Sequence, residues 1–307
     1  MKVWLTAIYY MMRKLKRLLY GWEKSDAKTY RHTYQLFGGS LNVNPDVLDF
    51  IGDHENLRIR YFHREKNGVI TGGYPVVEDQ HVGVNIWEKY PFSYDEILLP
   101  LSAEAKLLFP DKTNRLSPVH NKVLLNVNYS LARKNAICIV EQKISAKSEK
   151  NRRNEFNRFI KAGGVICDQS DFSAEELAHL YVHLFNARFR GTVKCFNADV
   201  LTNTISSLRH LFFGSILFVR DIPCAMDLVL HAASDQQIYF DVPNGGIDPR
   251  FSTLSPGSLL MWKNIQAARQ LCENTHTKMR FSLGALDAEW NYKLRWATPY
   301  KTGKVVI

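Results

Sequence analysis

The sequence predicts a mixed α/β protein: two halves of helices and largely antiparallel strands, preceded by an amphipathic basic helix. Three observations carry this. Residues 238–296 run strand, Gly-rich turn, Ser-Pro-Gly-Ser helix start, amphipathic helix, second strand and a basic aromatic finish, an order found in α/β chains. Both halves share a plan of helix, antiparallel strands and a further helical or irregular segment, with the boundary near 143–150. A length of 307 residues at 46% apolar content suits two ordinary domains with buried cores. The expected units are 1–22, 23–145 and 146–307.

Wound at about 100° per residue, the first segment puts Trp4, Ile8, Met11, Met12, Leu15, Leu18, Leu19 and Trp22 on one arc, with Lys2, Arg13, Lys14, Lys16 and Arg17 opposite. Its apolar run is too short to span a bilayer, which takes about 20 residues. RKLKR follows where a signal peptide would carry a small-residue cleavage site. The expectation is a helix lying in an anionic membrane surface, with Trp4, Ile8 and Met12 inserted and Arg13, Lys14, Lys16 and Arg17 at the headgroups. The bland alternative is a helix docked on the protein's own core.

The remaining elements follow in order. A helix at 30–37 stops at Gly38-Gly39, and a helical turn at 45–51 begins at a proline. Strands are expected at 57–63 and 69–77, joined by an Asn-Gly turn, then at 81–87, 94–99, 123–128 and 136–142. The stretch 100–121 holds Pro100, Pro110 and Pro118 and reads as irregular. A basic helix at 148–162 ends at Gly163-Gly164, followed by a strand at 165–168. Ser173 with Glu176 forms a capping box for a helix to 188, and another helix spans 198–212. Strands at 215–220, 225–232 and 237–242 form a meander; a helix at 256–272, a strand at 278–283, a helix at 288–296 and a strand at 304–307 finish the chain.

The net charge of +10 is local. Residues 1–31 carry eight bases against two acids and residues 143–161 seven against two, so the rest is near neutral. The second run suits tRNA, a phospholipid headgroup, or merely a solvated helix face. Five separated cysteines show no zinc or redox spacing and read as reduced thiols. His179 and His183 have metal-ligand spacing but no HExxH glutamate and no evident third ligand, so no metal is expected. No GxSxG, Walker or dinucleotide motif occurs.

Candidate chemistry gathers late in the chain. Ser255 reads as the N-cap of a helix with Pro256 at its first position, and Gly257 and Ser258 would let an anionic ligand approach free amides. Asp241 and Asn244, flanking Pro243 before Gly245-Gly246, sit at a strand end, where a carboxylate can accept a proton from an attacking amine; plain turn chemistry is the alternative. Tyr292 suits an acid, Lys293 and Arg295 a phosphate clamp, and Trp296 a stacking surface.

The runs SAKSEKNRRNEFNRFIKAGG, NGGIDPRFSTLSPGSLLMWKNI and RFSLGALDAEWNYKLRW resemble the Fem-type and cellulose-biosynthesis-type branch of the GNAT acyltransferase superfamily. Over its full length, including FGGSLNVNPDVLDF, the chain is similar to the Mig family of macrophage-induced proteins of enteric pathogens. The resemblance implies tandem GNAT-like domains, the first degenerate, peripheral attachment to the cytoplasmic face of the inner membrane, and a role in resistance to cationic antimicrobial peptides. Acyl-CoA or aminoacyl-tRNA is the implied donor, and a cationic peptide or envelope component the implied acceptor. Ser255, Pro256, Gly257, Tyr292, Lys293, Arg295 and Trp296 match the branch's pattern. Two departures stand: the Q/R-x-x-G-x-G/A loop is absent, and the usual Phe-Gly-x-Gly is Phe281-Ser-Leu-Gly284-Ala285. A GNAT-shaped membrane- or peptide-binding protein without catalysis is therefore the second reading. A transcriptional activator, a label the family has carried, is the third; no helix-turn-helix pattern supports DNA binding.

Overall fold

A computed structural model describes residues 2–130, 135–141 and 145–306, and side chains within these except at 2–10, 288 and 290. Helix α1 (Lys2–Leu19) leads into a short strand, β1 (Glu23–Ser25). Asp26 then caps α2 (Ala27–Phe37), and Asn44 caps α3 (Pro45–Glu55), each side chain accepting backbone amides of the first turn. Strands β2 (Ile59–Lys66), β3 (Val69–Val77) and β4 (His81–Val82) complete an antiparallel sheet in the order β1-β2-β3-β4.

The strand expected at 94–99 is largely buried chain with little ladder, and that expected at 123–128 is mostly turn; only β5 (Val127–Asn128) forms there. The amides go elsewhere: Leu98 donates to Ser40 Oγ (3.0 Å), Leu99 to His120 Nε2 (2.9 Å) and Ile97 to the Arg115 carbonyl (2.7 Å). Side chains and loops satisfy what a neighbouring strand otherwise would. His120, fully enclosed and accepting at Nε2, is held neutral, its pKa pushed down to about 3 by burial and then by Arg280.

The second half adds β6 (Ala136–Val140), α4 (Ala146–Lys161), β7 (Gly164–Asp168), α5 (Ala174–Phe189), α6 (Ala198–Ser207), β8 (Phe212–Phe213), β9 (Ser215–Val219), β10 (Ile222–Ala233), β11 (Gln237–Ile247), α7 (Pro256–Asn274), β12 (Lys278–Ala285), β13 (Ala297–Lys301) and β14 (Lys304–Val305). The expected capping box of α5 is present, Ser173 and Glu176 each bonding the other's amide. The large sheet runs β13-β6-β12-β11-β10-β9-β7, with β8 beside β10. Among the described strands of this sheet, β11 and β12 are the parallel pair, joined by α7 as a crossover.

The two halves are interlocked. Strand β6 precedes residue 145 yet lies between β12 and β13, while β14 returns to pair with β5. One core joins Tyr30, Tyr74 and Phe92 to Leu184, Phe185 and Met226. A buried Glu96–Arg280 ion pair crosses the same boundary, and Tyr239 Oη donates to Glu96 Oε2 (3.1 Å).

Helix α1 reverses part of the membrane expectation. Arg13 and Arg17, assigned to headgroups, are buried and both pair with Asp111; Arg17 also lies over the Phe62 ring (4.0 Å). Trp22 is buried too, its indole N–H donating to the Leu108 carbonyl (2.8 Å). A guanidinium one turn after another on the same face chelates one carboxylate. Docking by these arginines turns Met11, Met12, Leu15, Leu18 and Leu19 outward, with Leu18 75% exposed. Lys14 is exposed and Lys16 half-buried; the side chains of Trp4 and Ile8 lie outside the described ones.

Candidate functional site

Strands β11 and β12 pair from Gln237↔Lys278 to Asp241↔Ser282 and then part. Beyond that point β11 stays with β10, through Asn244, Gly245 and Gly246, while β12 turns to β6. The strand expected to end at Val242 therefore continues through 243–246, where a Gly-rich turn was expected. Its glycines have a packing reason: a Cβ on Gly245 would strike the Asp227 carboxylate, and one on Gly246 the backbone of α5 at Leu184 and Phe185.

A cavity of about 820 Å³ opens where the two strands part. Of the residues singled out by sequence, Asn244, Ser255, Gly257, Ser258, Tyr292, Lys293, Arg295 and Trp296 line it. Asp241 does not; it is buried at the junction of the halves and hydrogen bonded to Ser93. Burial, with Asp95 and Glu96 nearby, pushes its carboxyl up to about 7.

Helix α7 presents its first turn to the cavity. Ser255 differs from expectation: it sits in the left-handed region (φ 52°) and its side chain makes no cap. Among the described residues, the amides of Gly257 and Ser258 have no hydrogen-bond acceptor, so they keep their capacity for an anion, aided by the helix dipole. Pro256 occupies the first helical position as expected. A Cβ on Gly257 would meet the terminal methyl of the Ile247 side chain, which would have to shift.

The Tyr-Lys-x-Arg-Trp segment lies on a 3-10 helix (Ala288–Arg295) rather than an α-helix, begun by Asp287, which accepts the Glu289 amide. This brings Lys293 Nζ to the Ala285 carbonyl (2.8 Å). Desolvation draws the Lys293 ammonium below its usual pKa, against the pull of Asp95. Burial raises the Tyr292 phenol, which is hydrogen bonded to Arg188. Gly284, the retained glycine of the altered motif, has φ +77°; Ser282 Oγ accepts its amide (3.1 Å), and Asp95 Oδ2 accepts that of Ala285 (2.9 Å). The left-handed position has thus kept its glycine.

Several lining residues were not anticipated: Asp227, Arg188, Asp95, Arg115 and Trp87. Asp227 is the most consequential. It is buried on β10, its Oδ2 has no hydrogen-bond partner, and burial pushes its carboxyl up to about 7, with Arg188 opposing. Its sequence signal was a lone acid inside the apolar run Ala225-Met-Asp-Leu-Val-Leu230, where an unpaired carboxylate is costly. Arg188 donates to the Gly245 carbonyl (2.9 Å), and Arg115 pairs with Asp95 (3.3 Å). Among the described residues there is no cluster suited to a metal ion.

The profile of the Mig-14 family matches residues 44–305, from α3 to β14, and all of this cavity's lining. The chain belongs to the Mig-14 family. Its fold is shared beyond that family. A crystal structure of FemX superposes with a TM-score of 0.59 at 9% identity, covering 93% of this chain and 97% of that one. The structure of L-PGS from Bacillus licheniformis aligns over 92% of each chain at 13% identity with a TM-score of 0.45. The FemX likeness is one of fold, extending over both halves of the chain. No curated protein matches the chain in sequence.

Proposed function

We propose that this Mig-14 protein is an acyl or aminoacyl transferase whose reaction takes place in the cavity between β11 and β12. The observation that carries the reading is a buried carboxyl with a free oxygen, Asp227, in the same cavity as the uncapped start of α7. The α7 amides would take a phosphate of the activated donor. An acceptor amine attacks the donor's carbonyl carbon; a C–N bond forms and the donor's C–S or C–O bond breaks. The proton released by the nitrogen passes to Asp227 Oδ2, and the leaving group takes one in turn. A pKa near neutrality suits that role. Lys293 and Tyr292 line the same cavity and would serve as proton donors to charge developing on oxygen or sulfur.

The membrane part of the proposal rests on α1, whose outward stripe of Met11, Met12, Leu15, Leu18 and Leu19 suits insertion at a bilayer surface. No described helix is long and apolar enough to cross a membrane. Transfer at the cytoplasmic face of the inner membrane, onto an envelope component or a cationic peptide, would connect the site to peptide resistance. A non-catalytic binding protein is the second reading, favoured by the absent Q/R-x-x-G-x-G/A loop. The test is transfer of a labelled acyl group from acyl-CoA or aminoacyl-tRNA to a cationic peptide or inner-membrane lipid. Transfer abolished in Asp227→Asn supports catalysis. No transfer from any donor, with membrane and peptide binding intact, supports the second reading.

A further inference from the structure

Helix α4 has a face that the cavity chemistry does not use. Its inward residues, Glu149, Arg152, Glu155, Phe156 and Phe159, are buried or half-buried. Trp262 donates to Glu149 Oε2 (3.1 Å) and Gln266 to Glu149 Oε1 (3.2 Å), fixing α4 along α7. The opposite arc, about 120° wide at 3.6 residues per turn, holds Lys147, Lys150, Asn151, Asn154, Asn157, Arg158 and Lys161. All seven are exposed; the arc contains no acid and no apolar residue. Among the described residues, none of its four cations has an acidic partner within ion-pairing distance. The stripe is about 21 Å long at 1.5 Å per residue. On the inward side of the same helix, the Arg152 guanidinium lies over the Trp296 ring (5.3 Å), and Trp296 is a cavity wall.

We propose that the outer face of α4 docks the phosphate backbone of a polynucleotide. A linear array of unpaired cations is the footprint of a linear polyanion, and the interleaved asparagines offer amides to phosphate and sugar oxygens. A membrane surface fits less well. An interfacial helix inserts a stripe of apolar side chains; on α4 Phe156 and Phe159 face inward and Ile160 is its one exposed large apolar residue, whereas α1 shows a full outward stripe. The role of the docked strand rests on the transferase reading: its end, passing Trp296, would bring its acyl group into the cavity, so the donor is borne on RNA rather than on coenzyme A.

The experiment measures binding of the full chain to unfractionated deacylated tRNA across a salt series, with phosphatidylglycerol vesicles as the parallel arm. Wild type is compared with the combined variant Lys147→Gln, Lys150→Gln, Arg158→Gln, Lys161→Gln. Four lost phosphate contacts should flatten the log K against log salt slope by about 3, at about 0.7–0.9 per contact. Affinity should fall at least tenfold while the melting temperature holds, because all four side chains are exposed. The charge-conserving variant Lys147→Arg, Lys150→Arg, Lys161→Arg should bind as wild type does. An unchanged slope, no tRNA binding by wild type, or loss of vesicle binding in place of tRNA binding would overturn the proposal. Gly257→Trp separates the two readings. If it removes a response to acyl-CoA in a protein that ignores tRNA, α4 fails and the cavity stands. If tRNA binding depends on α4 while no donor is ever used, the cavity reading fails alone.

Discussion

Replacing Asp227 with Asn should change how stability depends on pH, without any need to know the substrate. Burial raises the folded-state pKa of Asp227 from its ordinary 3.8 to about 7. A group whose pKa is raised on folding holds its proton more tightly in the native state. Its contribution is therefore complete at low pH and is lost as pH rises toward the folded pKa. Between pH 5 and pH 7 the unfolded chain has released this proton and the native chain has not. At about 1.4 kcal/mol per pH unit, two units amount to about 3 kcal/mol, with no further loss above pH 7. Asp241 is shifted in the same direction for the same reason, so wild type should fall by about twice that, and Asp227→Asn by about half as much as wild type. Urea unfolding at pH 5.0 and pH 8.5, with midpoints and slopes fitted for both proteins, reads this directly. Parallel losses in wild type and variant would refute the assignment of a buried, unpaired carboxyl to position 227.

Other expectations follow from the same contacts. Asp111→Ala leaves Arg13 and Arg17 buried without a counter-charge and should destabilise the chain by about 3–5 kcal/mol in urea unfolding. The combined variant Leu15→Glu, Leu18→Glu, Leu19→Glu changes only exposed side chains; its melting temperature should stay near wild type while cosedimentation with anionic vesicles drops, and undiminished binding would remove α1 from the membrane contact. Glu96→Gln leaves Arg280 buried and unneutralised between the halves, and a loss of about 3 kcal/mol in urea unfolding is expected; a neutral result would mean that water reaches the pair.

The second half was legible because its signals are local. The Ser173–Glu176 capping box, Pro256 at a helix start and the alternating apolar meander each depend on residues a few positions apart, and each formed where expected. What could not be read depends on partners far along the chain. The 94–99 stretch looks like a strand, yet its amides are taken by Ser40 and His120. Asp241-Val-Pro-Asn-Gly-Gly246 has turn composition, but β10 supplies a ladder and the glycines clear space for Asp227 and α5. Helical periodicity grouped Arg13 and Arg17 with Lys14, and Trp22 with Leu18 and Leu19, whereas the body claims Arg13, Arg17 and Trp22 and leaves Lys14 and the leucines outside; Asp111, some 90 residues away from the arginines, decides it. In the site, the C-terminal motif marked one wall. Asp95 and Arg115 arrive from the first half on irregular segments that carry no motif.

The most direct test of the central claim is a thermal shift of the purified protein against acyl-CoA species and aminoacyl-tRNA, with Gly257→Trp alongside. A donor at 100 times its Kd stabilises the native state by about 2.7 kcal/mol, a readily measured shift. A rise in melting temperature with one donor class, lost when the indole introduced by Gly257→Trp fills the start of α7, is the result expected. No rise with any donor, or a rise that Gly257→Trp leaves intact, would contradict a donor site in the cavity between β11 and β12.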